Sequence, residues 1–358
     1  MMNILVIAKL TPEKLLSKLR PFIGNPLVEH LYLLRDETFT IDEPKLEFLP
    51  LPKKRGVLRH VEKIIIAQRY ASTHKIDIVL SYLLTPHGYL GWFLSRTIGV
   101  RWIHAIIAGH REVWIDGKIA EKLNICLLRS ADVVNVMGMA TKEYLKKKGI
   151  CEKNIAVIPN AIDGEMFVPT VNKSVEYDIV YASRIDENKN FPLLIRAINR
   201  LKSDFPKIKI CVAGDGDKLE EAKRQCRQYG LDSNFIFLGK VDHENIKKLY
   251  HKSNIFVLTS RGEGVPMALL EAMFCGIACI STNVGEIGSI IVDGENGFLL
   301  QDTEDDGILA ERIRLLLKNE KLRLLMSVKA TQIKNSYSFD NVMELWNETL
   351  KSLESKHL

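Results

Sequence analysis

The sequence predicts an α/β protein of two doubly wound domains, each a parallel sheet with helices on both faces. Three observations predict it. The 358 residues exceed what one hydrophobic core ordinarily holds and favour two domains of common size. Short β-rich apolar runs alternate with helical patterns through both halves, and strand and helix in turn imply parallel pairing. Between 167 and 173 the stretch FVPTVNK breaks the periodicity before a new strand begins, which separates the halves.

Taken in order, the candidate strands of the first half are 3–8, 76–82, 102–107, 133–137 and 155–158. Each is a short apolar run of the kind that a strand buried on both faces requires. The most apolar stretch, 78–95, is interrupted by Thr85, Pro86, His87 and Gly88, so it reads as a strand, a loop and a helix rather than a membrane span. In the second half the strands are 177–182, 207–213, 235–238, 255–259 and 278–281, with helices such as 192–205 and 218–229 between them. This places a first domain over 1–170 and a second over 174–336. Open parallel sheets bind ligands beyond the carboxyl ends of their strands, so the two domains are expected to face a cleft that holds the site.

Composition is that of a globular protein, 46% hydrophobic and 26% charged. The six cysteines show no paired ligand clusters and read as reduced, buried thiols, and Cys275 with Cys279 lacks the further ligands of a metal site. The first residues enter a strand pattern with no signal-peptide features, so a cytoplasmic location is expected. The net charge of +6 is uneven: residues 1–170 hold 24 Lys and Arg against 17 Asp and Glu, or +7, which leaves −1 for the rest. Basic residues Lys53, Lys54, Arg55, Arg59 and Lys63 precede the apolar run 64–67, a pattern that fits either a solvated helix face or peripheral contact with an anionic membrane. Basic clusters interleaved with stacking aromatics are missing, which argues against nucleic acid as a partner.

The densest chemical signal is the segment 260–276, SRGEGVPMALLEAMFCG. Glu263 stands on a strand-to-helix loop punctuated by Gly262 and Gly264, and Pro266 suits a first helical position. The amides of Met267 and Ala268, in the first helical turn, lack intrahelical acceptors and present the positive end of the helix dipole to an anion. Glu271 lies further into the helix, within reach of neutral hydroxyls beside that anion. Phosphate together with hydroxyls describes a sugar nucleotide. Arg184 and Lys189, on the loop after strand 177–182, are expected to converge on a diphosphate, one as a fork and the other as a point charge. Gly214, in the turn AGDGDK, and Val241, in the turn GKVD, follow the next two strands and carry backbone toward a ligand. Any one of these features is an ordinary surface loop. Four loops at the carboxyl ends of four strands are not.

With those residues in place, the second half resembles the donor domain of glycosyltransferase family 4, a family of GT-B architecture. Glu263 and Glu271 match its E-x7-E motif, Arg184 and Lys189 its basic pair, and segments 283–288 and 293–299 its closing region. Segment 157–163 with Phe167 and Pro169 resembles the interdomain stretch, and 336–346 resembles the helix that returns to the first domain, so 337–358 is expected to cross back. The resemblance implies a GT-B fold of two Rossmann-like domains. It also implies retaining transfer of a hexosyl-type sugar from a nucleotide-diphosphate donor, normally without a required metal. Carried onto this chain, Arg184 and Lys189 would neutralise the leaving diphosphate, Glu263 would contact the sugar near the reacting carbon, and Glu271 would hold ribose hydroxyls. Met267 and Ala268 would give amides to the phosphates, with Gly264, Val265, Pro266, Gly214 and Val241 completing the donor site.

The first half departs from the family. The segment 8–14, AKLTPEK, has no glycine-rich loop after the first strand. His110 is the candidate for a family histidine near the donor sugar, with His104 in the same run and His87 as alternatives. The acceptor, a glycan, a lipid-linked or a small molecule, is expected to meet loops at 10–25 and 53–63. Two other classes fit the architecture: a sugar-nucleotide epimerase or hydrolase, which needs added acid or base residues, and a non-catalytic sugar-nucleotide-binding subunit.

Overall fold

The computed structural model describes residues 1–354 apart from 41, 116 and 171–173. The chain forms two compact units, Met1–Ala161 with Phe339–Leu358, and Ile162–Ser338.

The first unit carries seven parallel strands: β1 Met2–Ile7, β2 Val28–Leu34, β3 Leu46–Phe48, β4 Ile78–Tyr82, β5 Arg101–Ile106, β6 Val133–Val136 and β7 Ile155–Val157. Their order is β3-β2-β1-β4-β5-β6-β7, so the direction of winding reverses between β1 and β4. β4, IVLSY, is buried throughout, because helices cover both faces of a parallel sheet. The helix Phe339–Glu354 completes this unit. It buries Val342, Trp346, Leu350 and Leu353, and Trp346 lies 4.4 Å from Phe22 between ring centroids.

The second unit carries six parallel strands: β8 Tyr177–Ala182, β9 Ile210–Ala213, β10 Phe235–Gly239, β11 Ser253–Leu258, β12 Ala278–Thr282 and β13 Phe298–Leu300. The order β10-β9-β8-β11-β12-β13 puts the reversal between β8 and β11. The helix Phe191–Leu201 buries seven of its residues, among them Phe191, Leu194 and Ile198, and anchors the core of this unit.

Several expectations need correction. The sequence reading missed β2, β3 and β13. β2 is interrupted after Val28 by the polar Glu29 and His30 before its apolar half, and the other two are three-residue edge strands, too short for periodicity to register. Most of 10–25 is the helix Pro12–Ile23, not a loop, and 57–71 is the helix Val57–Ala71. Lys63 leaves the expected basic surface. It is 1% exposed, and its Nζ lies 2.9 Å from Asp36 Oδ1. Cys126 and Cys151 are exposed, while the other four cysteines are buried. The first unit ends at Ala161 rather than near 170, and residues 171–173 of the expected linker lie outside the described residues. At the crossing, the Ile162 amide donates to Tyr337 O at 2.9 Å. Among the described residues no helix is long and apolar enough to cross a membrane.

Candidate active site

In the second unit, loop 183–190 leaves the carboxyl end of β8 and loop 259–266 leaves that of β11, the two strands that flank the reversal of winding. A loop on each side of such a point is where an open α/β sheet offers a ligand crevice. Here the loops are bound to one another. Asn188 Nδ2 donates to Gly262 O at 2.8 Å, the Arg261 amide to Asn188 O at 2.7 Å, and Thr259 Oγ1 to Lys189 O at 2.9 Å. Lys189 Nζ then reaches Glu263 Oε1 at 2.5 Å, and Ser260 Oγ donates to the same oxygen at 2.5 Å. Both side chains of the ion pair are largely buried, at 15% and 10% exposure, so neither is an idle surface charge.

Close approach of backbone holds the neighbouring turns. A Cβ on Gly214 would stand 1.8 Å from Ser183 O, and one on Gly285 would stand 1.8 Å from Glu263 O at a backbone φ of +59°. Glycine is therefore required at both. Gly214 was expected to let backbone approach a ligand; the atom its missing side chain admits is the carbonyl of the β8 loop.

Arg184 does not join Lys189. Its Nη2 lies 3.0 Å from Asp186 Oδ2, and the side chain is 75% exposed. Each cation pairs with its own carboxylate, Arg184 with Asp186 and Lys189 with Glu263. Arg184 instead borders a cavity of about 510 Å³ whose walls include Gly214, Lys240, Val241, Ala268 and Glu271. Gly264, Val265 and Pro266 are not among those walls: Val265 and Pro266 are buried, and Gly264 O accepts from the Glu286 amide at 3.3 Å. Pro266 is the N-cap of the helix Met267–Phe274 rather than its first residue, so Met267 and Ala268 open that helix with their amides unused by it.

Glu271 is 5% exposed. Its Oε2 accepts from Tyr250 Oη at 3.3 Å, and Oε1 lies 3.8 Å from Nδ1 of His243. Burial raises its pKa, partly offset by His243 and by the Tyr250 hydroxyl. Ser260, Tyr250, His243 and Lys240 escaped the sequence reading. Ser260, three residues before Glu263, and Lys240, beside Val241 in the turn GKVD, were adjacent enough to a motif to be found; His243 and Tyr250 come from the helix that follows that turn.

In the first unit, His110 is half-buried with its ring 5.0 Å from that of Tyr144. His104 is fully buried, with Nδ1 2.9 Å from Ser81 Oγ, and burial lowers its pKa to about 3. His87 is 3% exposed and is lowered to about 4, again chiefly by burial. His104 is thus part of the core. Among the described residues no group of three or more His, Cys, Asp or Glu side chains is arranged to hold a metal ion.

Two parallel-stranded α/β units of this topology, with loops gathered at the winding reversal of the second, have the architecture of GT-B glycosyltransferases. Comparison with solved structures agrees. The fold matches Anabaena HepE in complex with UDP and glucose at a TM-score of 0.79 and 17% identity, over 98% of this chain and 100% of that one. It matches sucrose-phosphate synthase from Thermosynechococcus elongatus at a TM-score of 0.80 and 16% identity, over 99% of this chain and 100% of that one. A curated relative from Campylobacter jejuni is 24% identical over 331 residues, 91% of this chain and 88% of its own. Its name is GalNAc-alpha-(1->4)-GalNAc-alpha-(1->3)-diNAcBac-PP-undecaprenol alpha-1,4-N-acetyl-D-galactosaminyltransferase. Family models described as Glycosyltransferase Family 4 and Glycosyl transferases group 1 match residues 29–165 and 165–333. The chain belongs to glycosyltransferase family 4 and is a glycosyltransferase.

Proposed function

We propose that this glycosyltransferase moves a hexosyl-type sugar, with retention of anomeric configuration, from a nucleotide-diphosphate sugar to a glycan, lipid-linked or small-molecule acceptor. The observation that carries the reading is the pair of bonded loops at the β8–β11 reversal, which hold the Lys189–Glu263 ion pair, and the helix that follows the second loop, whose Ala268 and Glu271 wall the cavity that Arg184 borders. In this reading the diphosphate lies against the amides of Met267 and Ala268 and draws Arg184 and Lys189 onto it. Departure of the nucleotide concentrates negative charge on that diphosphate, and the helix amides, with the cations already drawn onto it by donor binding, stabilise the charge as it develops. These groups take the role that a metal ion plays in other phosphate sites, so transfer is expected to survive a chelator. Glu263 contacts the sugar near its reacting carbon, and Glu271 accepts from the ribose hydroxyls. Gly214, Val241, Gly264, Val265 and Pro266 shape the donor site, and His110 is the first unit's candidate for contact with the donor sugar. Support also comes from the UDP and glucose of the HepE complex and the undecaprenol-linked substrate in the name of the Campylobacter relative.

A thermal-shift titration with UDP-, GDP- and ADP-sugars in EDTA tests this directly, since a ligand of the native state raises its apparent stability. One donor is expected to give a selective shift that Lys189→Ala removes, with transfer lowered by on the order of a hundredfold. No shift with any donor, or full turnover in Lys189→Ala, defeats the reading.

A peripheral membrane contact belongs to the same reading. Lys53, Lys54 and Arg55 are exposed, and they lead into a helix whose Val57, Leu58, Val61 and Ile65 are exposed along one side. A basic cluster followed by an apolar helical stripe suits an anionic bilayer surface. Flotation with phosphatidylglycerol vesicles is expected for the wild type and not for a variant with Lys53, Lys54 and Arg55 all changed to Glu; equal flotation removes the proposal.

A further inference from the structure

The carboxyl edge of the first unit's sheet gathers charged side chains from four separate segments. Ile7, at the end of β1, is in register with Leu34 of β2 on one side and Ser81 of β4 on the other. Lys9, the pair Arg35 and Asp36, and the turn holding His87 therefore leave the sheet side by side. The helix Val57–Ala71 adds Arg59, His60 and Lys63. Lys63 Nζ is 2.9 Å and Arg59 Nη1 3.4 Å from the Asp36 carboxylate. Lys63, Asp36, His60 and Lys9 are the charged and titratable groups that act on His87.

Arg35 is the informative member. It is 7% exposed, its guanidinium lies 5.1 Å from the Phe39 ring, and Nη2 donates to Leu10 O at 2.7 Å. Its Nε and Nη1 are buried and have no partner among the described residues, and the same holds for Nδ1 of His60 and of the 3%-exposed His87. A buried donor left unmade is costly, and more so on a charged group. Four cations, Lys9, Arg35, Arg59 and Lys63, stand here against Asp36 and its neighbour Glu37. Nε and Nη1 lie on opposite sides of the guanidinium, and Nη2, the nitrogen shared by both forks, already serves Leu10 O, so each unmade donor can take one anionic oxygen singly, and the excess of positive charge around it favours an anion there.

We propose that Arg35, Lys9 and Lys63, with His60 and His87, form an anion site that holds the phosphate group of the acceptor. The proposal rests on the reading of the chain as a transferase with its donor in the second unit. It narrows the acceptor to one bearing a phosphate or diphosphate, whether a lipid headgroup or a free phosphorylated molecule.

Calorimetric titration of inorganic pyrophosphate into the full chain separates the two sites. Wild type and Lys189→Ala are both expected to bind, and Arg35→Gln is expected to weaken binding about tenfold or more, the effect of losing a charge-assisted hydrogen bond. Because Arg35 is buried, Lys9→Glu at an exposed position serves as a second variant and is expected to weaken binding in the same direction. Binding that depends on Lys189 alone overturns the proposal while leaving the transferase reading intact, and no binding to the wild type also overturns it. Geranyl phosphate in detergent is the second arm: tighter binding than inorganic phosphate assigns a lipid headgroup, and equal binding assigns a free phosphorylated acceptor.

Discussion

The two sheets wind in the same way and reverse at equivalent points, yet their carboxyl edges are chemically opposite. Beyond β8 and β11 the loops satisfy one another: Asn188 with Gly262, Thr259 with the Lys189 carbonyl, and Lys189 with Glu263. Beyond β1, β2 and β4 the side chains of Arg35, His60 and His87 have buried nitrogens with no partner among the described residues. Topology thus fixes where a ligand can sit, while loop chemistry fixes whether the site is complete before the ligand arrives. The second edge is preorganised, which limits what must be ordered on binding. The first is finished only by something from outside.

The contrast extends to the cores and makes the largest effect expected here. The first unit buries two histidines as neutral rings, His104 at about 3 and His87 at about 4 against an ordinary value of 6.5. The unfolded chain takes up a proton on each below pH 6.5 while the native state does not, so stability falls as pH falls through that window. By pH 5 the loss is about 2 kcal/mol for each ring. Glu112 partly opposes this. It lies 3.9 Å from His104 Nε2, and burial raises its pKa, so the native state gains a proton there as acid is added. Hydrogen exchange at pH 7 and pH 5 is expected to show the first unit weakening and the second holding, with His104→Gln reducing the loss. Equal weakening of both units would break the comparison.

The same division explains what the sequence made legible. The charged residues of the second site lie in two contiguous segments, 181–193 and 260–276, where glycine, acid and base stand at fixed spacing, while Gly214 and the segment 240–250 supply further cavity walls. Five strands in each half were legible because parallel strands buried on both faces read as unbroken apolar runs. The edge of the first unit draws on Lys9, Arg35, Lys63 and His87, residues spread over nearly eighty positions and joined by the register of β1 with its neighbours and by the ion pair of Lys63 with Asp36. No spacing rule reports such a cluster. Arg184 shows the converse limit: its position in a motif is visible, but its side chain answers to Asp186, which shares the loop. Lys63 was misread because a basic residue beside an apolar stripe looks solvated until its partner, Asp36, arrives from the loop after β2.

The smallest effect expected tests the second unit alone. Glu271 is buried with its pKa raised, first by loss of hydration and against the pull of His243 and the Tyr250 hydroxyl. The native state therefore holds its proton to higher pH than the unfolded chain does, and stability falls as pH rises from the ordinary carboxyl value of 4.5 through the raised one. Glu271→Gln keeps the shape and removes the charge, so it is expected to melt a few degrees above the wild type at pH 8 and level with it at pH 4. The gain should reverse once donor is present, since the amide oxygen accepts more weakly than a carboxylate from ribose hydroxyls. Differential scanning calorimetry of both proteins, with and without the donor identified by titration, measures the two signs together. A variant that is more stable at pH 8 and yet less stabilised by donor identifies Glu271 as a carboxylate kept buried for its ligand. A variant that is unchanged in both respects returns it to the ordinary polar lining of a helix.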